Sequence, residues 1–146
     1  MTEVLFFQQI DDELLSYAAV AARFHGKWAF YSRGDGGAYE MPGSPRQDGE
    51  NIEQTARRGL YETTGAARFR LWHVSAYAER GDDGSMKYGM LYYAEIQEFF
   101  EDPGLGEDRV GFFQGPPENL ASPRTQPALL RRAQETAAKE NGSGNG

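Results

Sequence analysis

Apolar residues change their spacing several times along this chain, and each change marks an element. Val4 to Gln8 is short and largely apolar, which fits a strand. Ser16 to Phe24 is small and apolar, His25-Gly26 is a turn signal, and Lys27 to Ser32 is rich in aromatics. That order predicts a β-hairpin. Gly34-Asp35-Gly36-Gly37 predicts a loop, and Ala38 to Met41 a short strand running into the turn pair Pro42-Gly43. The spacing then changes. Ile52, Ala56 and Leu60 recur every fourth residue and predict a helix over Asn51 to Thr64. Glu53 with Arg57 and Arg58 with Glu62 stand at i,i+4, each pair contributing a few tenths of a kcal/mol at most. Gly65 is a good C-terminal stop. Gly59 is out of place, because a glycine inside a helix costs about 1 kcal/mol relative to alanine.

Beyond the helix the pattern returns to strands. Phe69 to Glu79 and Lys87 to Phe99 predict two long strands joined through Gly81-Asp82-Asp83-Gly84-Ser85. Glu101 to Arg109 is a Gly/Asp/Glu-rich loop, Val110 to Gln114 is one more strand, and Pro116-Pro117 ends it. Pro127 to Lys139 predicts a closing helix, with Pro in its first turn and Leu129, Leu130, Ala133 and Ala137 on its apolar face. Residues 1–140 read as one α+β domain, and Asn141 to Gly146 as a disordered tail.

Composition narrows the classes of function. The 146 residues suffice for one real core. No cysteine is present, which removes disulfides, thiolate metal sites and cysteine nucleophiles. The net charge of −7 argues against polymeric DNA or RNA as a main partner. No apolar run approaches the roughly 20 residues that span a bilayer, and the N-terminus has no signal-peptide pattern. A cytoplasmic protein without membrane contact is the expectation.

From Ala38 the chain reads AYEMPGSPRQDGENIEQTARRGLYETTGA. This resembles the Nudix box: Gly, five residues, Glu, seven residues, then Arg-Glu-aliphatic-any-Glu-Glu-any-Gly-aliphatic. Ser44 falls at the leading Gly, Glu50 at the first Glu, Arg58 at the Arg, and Gly59 where the next Glu belongs. Leu60 matches the aliphatic position and Glu62 the first Glu of the final pair, Thr63 replaces the second, and Gly65-Ala66 close the box. Lys27-Trp28-Ala29-Phe30, Tyr88 to Glu95, and Ser122-Pro123 through Gln126-Pro127 also look like bacterial MutT-type members. The resemblance implies an α/β/α sandwich around a mixed sheet, with the box helix after a glycine turn and a second helix at the C-terminus. It implies hydrolysis of a nucleoside diphosphate linked to a group X, with oxidised purine nucleoside triphosphates the usual substrates of such relatives. It also implies a small-molecule nucleotide as partner, and a homodimer as one expected assembly.

The implied chemistry is attack of water on a phosphoanhydride, helped by Mg²⁺ or Mn²⁺. Mg²⁺ prefers hard oxygen ligands, and helix positions 59, 62 and 63 fall within about 100° of arc, so glutamates there would converge. Here Gly59 supplies no ligand and Thr63 only a neutral hydroxyl. By the resemblance Glu62 and Glu50 are the metal-side carboxylates, with Glu107, in the acidic loop beside Asp108, as a further ligand or base. Gly43, Ser44 and Arg58 are expected at the substrate, and Tyr39 is the aromatic expected to stack a base. Loss of a positioned base commonly costs 10²- to 10⁴-fold, so weak cation binding and weak activity are expected.

The remaining candidates are weaker. His25 sits in a turn and His73 mid-strand, too far apart in the pattern to make a metal site. Trp28, Phe30, Trp72, Tyr88, Tyr92 and Tyr93 are expected mostly as sheet-face packing. Three functions stay open: a hydrolase, a non-catalytic nucleotide- or phosphate-binding module, and a structural interaction protein.

Overall fold

The structure is a computed structural model that describes residues 2–32, 37–100 and 109–144. Among the described residues eight strands and two α-helices follow one another: β1 (Glu3–Phe7), β2 (Leu15–Phe24), β3 (Lys27–Ser32), β4 (Tyr39–Glu40), β5 (Gly43–Pro45), α1 (Ile52–Thr64), β6 (Ala66–Arg80), β7 (Met86–Phe99), β8 (Arg109–Phe113) and α2 (Gln126–Gly144). A 3₁₀ turn at Asp12–Leu14 precedes β2. The strands form one mixed sheet in the order β1-β6-β7-β2-β3-β4, with β5 beside β2 and β8 beside β3. β2 and β7 run parallel; the other named pairs are antiparallel.

Period-two alternation makes this sheet the middle layer of a sandwich. On β2, Ala18, Val20 and Ala22 face α1 and join Ala56 and Leu60. Ala19 and Ala21 face the other way and join Leu129, Leu130, Ala133 and Ala137 of α2. A strand covered on both faces has no polar face, which is why Ser16 to Phe24 reads as a continuous small, apolar run. Small side chains also let both helices approach. Burying leucines such as Leu60 and Leu130 contributes about 1.5–3 kcal/mol each. Among the described residues no helix is long and apolar enough to cross a membrane.

The pattern and the structure differ at several ends. β6 begins at Ala66, directly after the left-handed Gly65 that stops α1, rather than at Phe69. Its first residues alternate with exposed arginines, so hydropathy there is too low to read as strand. α2 starts at Gln126 and is helical through Gly144, into the segment expected as a tail. The turn pair Pro42-Gly43 leads into β5, a strand the pattern does not show. Three residues are too few for a period, and β5 is held by backbone pairing of Gly43 with Ala19 and Pro45 with Tyr17. The hairpin of β2 and β3 forms as expected, with His25 in the left-handed region at its turn. The loop at Gly34-Asp35-Gly36 and the segment 101–108 lie outside the described residues.

Candidate functional site

The site is built where α1 leans on β5. Asn51 caps α1: its side chain accepts from the Gln54 amide, and the Gln54 side chain accepts from the Asn51 amide, at 2.8 Å each. This capping box fixes the helix start immediately after Glu50. Gly59 then faces the turn. A Cβ there would stand 2.8 Å from the Gly43 carbonyl carbon and 3.0 Å from the Ser44 nitrogen. Gly43 is equally constrained, since its Cβ would stand 2.5 Å from the Ala18 carbonyl oxygen. Two glycines thus let helix, turn and sheet meet backbone to backbone.

Arg58 fastens the contact. Its Nε donates to Glu50 Oε2 at 2.6 Å and its Nη2 to Glu50 Oε1 at 2.9 Å. Nη1 donates to Ser44 Oγ at 2.9 Å and to Glu62 Oε2 at 3.2 Å, and Nη2 also reaches the Pro45 carbonyl at 2.8 Å. These bonds occupy all of the roughly five N–H donors a guanidinium carries. Glu50 is committed in turn, for Oε1 also accepts from the Gln47 amide and the Thr55 hydroxyl at 3.0 Å. The Arg58 hydrogen bond, chiefly, holds the Glu50 carboxyl at about 2, below the ordinary 4.5. The same pairing raises the Arg58 guanidinium.

The other expected residues fall as follows. Glu62 is half exposed and lines a cleft of about 360 Å³ together with Gly43, Ser44 and Thr63. Thr63 donates its hydroxyl to the Gly59 carbonyl at 2.8 Å, so it braces the helix. Tyr39 packs edge-on against Phe113, 5.1 Å between ring centroids, and lines neither this cleft nor the larger cavity described next. Glu107 and Asp108 lie outside the described residues. Among the described residues no three His, Cys, Asp or Glu side chains gather as metal ligands. With Glu50 saturated by Arg58 and Thr63 turned to its own helix, these side chains do not fit a resident Mg²⁺ or Mn²⁺ ion.

A second cavity, of about 510 Å³, adjoins the cleft and shares Tyr17, Glu40 and Pro45 with it. Tyr77, Thr125, Gln126 and Leu129 line its far side. Burial pushes the Tyr77 phenol up, which keeps it protonated. Hydropathy does not single out Glu40 or Gln126. Alternation along Tyr39–Glu40 is the one available signal, because it sends Glu40 to the face opposite the packed Tyr39.

No protein-family profile matches the chain. It is 31% identical over 103 residues to YtkD of Bacillus subtilis (strain 168), a protein provisionally named an 8-oxo-dGTP diphosphatase. That match covers 70% of this chain and 64% of YtkD, so the chain spans just under two thirds of that relative. Its fold is similar to the Bacillus subtilis pyrophosphohydrolase BsRppH, solved as a point mutant, with a TM-score of 0.74 at 24% identity over 92% of this chain and 90% of that one. It is also similar to a Nudix hydrolase from Nitrosomonas europaea, with a TM-score of 0.63 at 16% identity over 86% and 90% of the two chains. The sandwich shared with these neighbours, the sequence relative and the box residues from Ser44 to Ala66 make this chain similar to Nudix hydrolases in fold and in box pattern.

Proposed function

We propose that this protein is a pyrophosphohydrolase that attacks a nucleoside diphosphate linked to a group X, with weak turnover. One observation supports the reading: a cleft lined by Gly43, Ser44 and Glu62 shares three lining residues with a cavity large enough for a nucleoside. The diphosphate lies along the turn, and the nucleoside fills the larger cavity. An oxidised purine nucleoside triphosphate is a candidate substrate, as the name of YtkD suggests for that protein.

Residue roles follow from what each side chain has left to offer. Among the described residues Glu62 shares one hydrogen bond, with Arg58, and it lines the cleft; it accepts a proton from the attacking water. Glu107 is the second carboxylate in this proposal. Glu50 and Arg58 position the turn, and the saturation of Arg58 speaks for that role over direct phosphate binding. Mg²⁺ or Mn²⁺ remains implied by the family, but with no fitting set of described ligands no step is assigned to it. A site with so few free carboxylates supports slow chemistry.

The degenerate positions also favour a second reading, a nucleotide-binding module without catalysis. Gly59 and Thr63 both serve packing, which a binding protein needs as much as an enzyme. Phosphate and nucleotide release over a substrate panel, with Mg²⁺ and with Mn²⁺, separates the two. The hydrolase reading expects slow but measurable release that falls at least about tenfold in Glu62→Gln. Thermal stabilisation by nucleotide with no product at any metal concentration supports the module instead.

A further inference from the structure

β6 is 15 residues long, but the strand outside it, β1, has only 5 and pairs with residues 76–80 alone. Among the described residues no strand and no backbone hydrogen bond lies on the outer side of residues 67–73. Such an edge presents a row of unpaired N–H and C=O groups. On the inner side, the pairing of β6 with β7 shifts register at Ala66/Arg68, Arg68/Phe69 and His73/Ser75. Shifts of this kind bend a strand, so residues 69–73 are the regular part of the open edge. Period-two alternation sends Phe69, Leu71 and His73 to the α1 face, and Arg70 and Trp72 to the α2 face. Phe69 and Leu71 are half-buried against the core under α1, and Trp72 against the core under α2. Arg70 and His73 are exposed, and the Arg70 guanidinium lies 5.0 Å from the centre of the Trp72 ring.

We propose that residues 69–73 pair with the same residues of a second copy of this chain, antiparallel, about a two-fold axis that passes through Leu71. The axis stands normal to the sheet, so the two sheets become one, with both α1 helices on one face and both α2 helices on the other. In that register Leu71 lies opposite Leu71, Phe69 opposite His73, and Arg70 opposite Trp72. Aromatic and apolar cross-strand pairs of this kind stabilise a sheet. Each guanidinium also meets the face of the partner's Trp72, a cation–π contact made twice by symmetry. The charge pattern and the register shifts select this axis over its neighbours. An axis through Arg70 would set two guanidiniums directly opposite one another, which destabilises a strand pair. Axes through Phe69, Trp72 or His73 would carry the pairing across one of the register shifts. The edge is therefore complementary to itself, which favours a second copy over a foreign strand. Its closed two-fold geometry stops the assembly at two chains.

Sedimentation equilibrium of the full chain measures the association. A pairing this short stands at the small end of interface size, so a reversible dimer with a Kd of about 1–100 μM is expected. Arg70 is exposed, and Arg70→Ala is expected to raise that Kd about tenfold, because both cation–π contacts are lost together. Cross-linking tests the register itself. The chain has no cysteine, so a single introduced thiol reports only on its own position. Residues directly opposite in an antiparallel pair have Cα atoms about 4.5–5.5 Å apart, within the span a disulfide bridges. Leu71→Cys is therefore expected to form a disulfide-linked dimer under mild oxidation, seen on a non-reducing gel. His73→Cys is expected to stay unlinked, because Phe69 and not His73 lies opposite it. A chain that remains monomeric up to about 1 mM overturns the proposal and leaves the edge to an extended segment of another protein. A dimer in which Leu71→Cys does not link, or His73→Cys links as readily, overturns it too, since the copies then meet through another surface or register.

Discussion

Gly59 shows how one position can carry two meanings. Within the box it stands where a glutamate belongs, so it reads as a lost ligand. In space it is the point at which α1 touches the Gly43-Ser44 backbone, with no room for a Cβ. Replacing it with alanine gains about 1 kcal/mol of helix propensity, but forcing the helix off the turn costs about 1–3 kcal/mol. Gly59→Ala is therefore expected to be destabilised by about 1 kcal/mol in urea denaturation; a stabilised variant would show that the turn yields freely. For the same reason Gly59→Glu/Thr63→Glu is not expected to raise nucleotide turnover, because the new side chain displaces the helix that carries it. A gain in measured product release would count against this account. Glu50 gives a prediction in pH. Its carboxyl is held at about 2 in the fold against 4.5 ordinarily, so the ionised form is the one the fold favours. The stability this confers is complete above the ordinary value and is lost as pH falls from there toward about 2. Melting temperatures across that acid window are expected to fall more steeply for the wild type than for Glu50→Gln.

At the scale of elements, α1 was legible because its signals agree. The four-residue apolar recurrence and Gly65 both point to one span, and the structure differs from it only in making Asn51 the cap. The cap does more than start a helix: it sets the angle from which Glu50 meets Arg58. Asn51→Ala is expected to cost about 1 kcal/mol in stability, read by denaturant unfolding, since two amide donors at the helix start lose their partners. β5 was not legible. It pairs through backbone groups over three residues, and hydropathy carries no trace of such a pairing. β4 has the same difficulty, and its two residues were found only because the apolar run before Pro42 happened to cover them.

For the whole molecule, the sheet separates two cores, one under each helix. α2 seals the core beside the larger cavity, with Leu130 fully buried and Leu129 at the cavity wall. Leu130→Ala is expected to lose about 2–5 kcal/mol and to lower the melting temperature accordingly. Calorimetry that finds less than about 1 kcal/mol would mean α2 is not a structural part of this core. The sequence alone determined the types of the longer elements, the α+β class and the box, because hydropathy periods, helix stops and motif spacing are local properties of the chain. It also identified the box residues, with Glu62 among them. Tertiary structure decided what those residues are free to do. That Arg58 has spent its donors, that Gly59 is a contact, and that Glu40 and Gln126 share a cavity depend on which strands lie beside one another. Residues 41 and 126 meet only because α2 returns to the end of β4, and nothing in the spacing along the chain encodes that return.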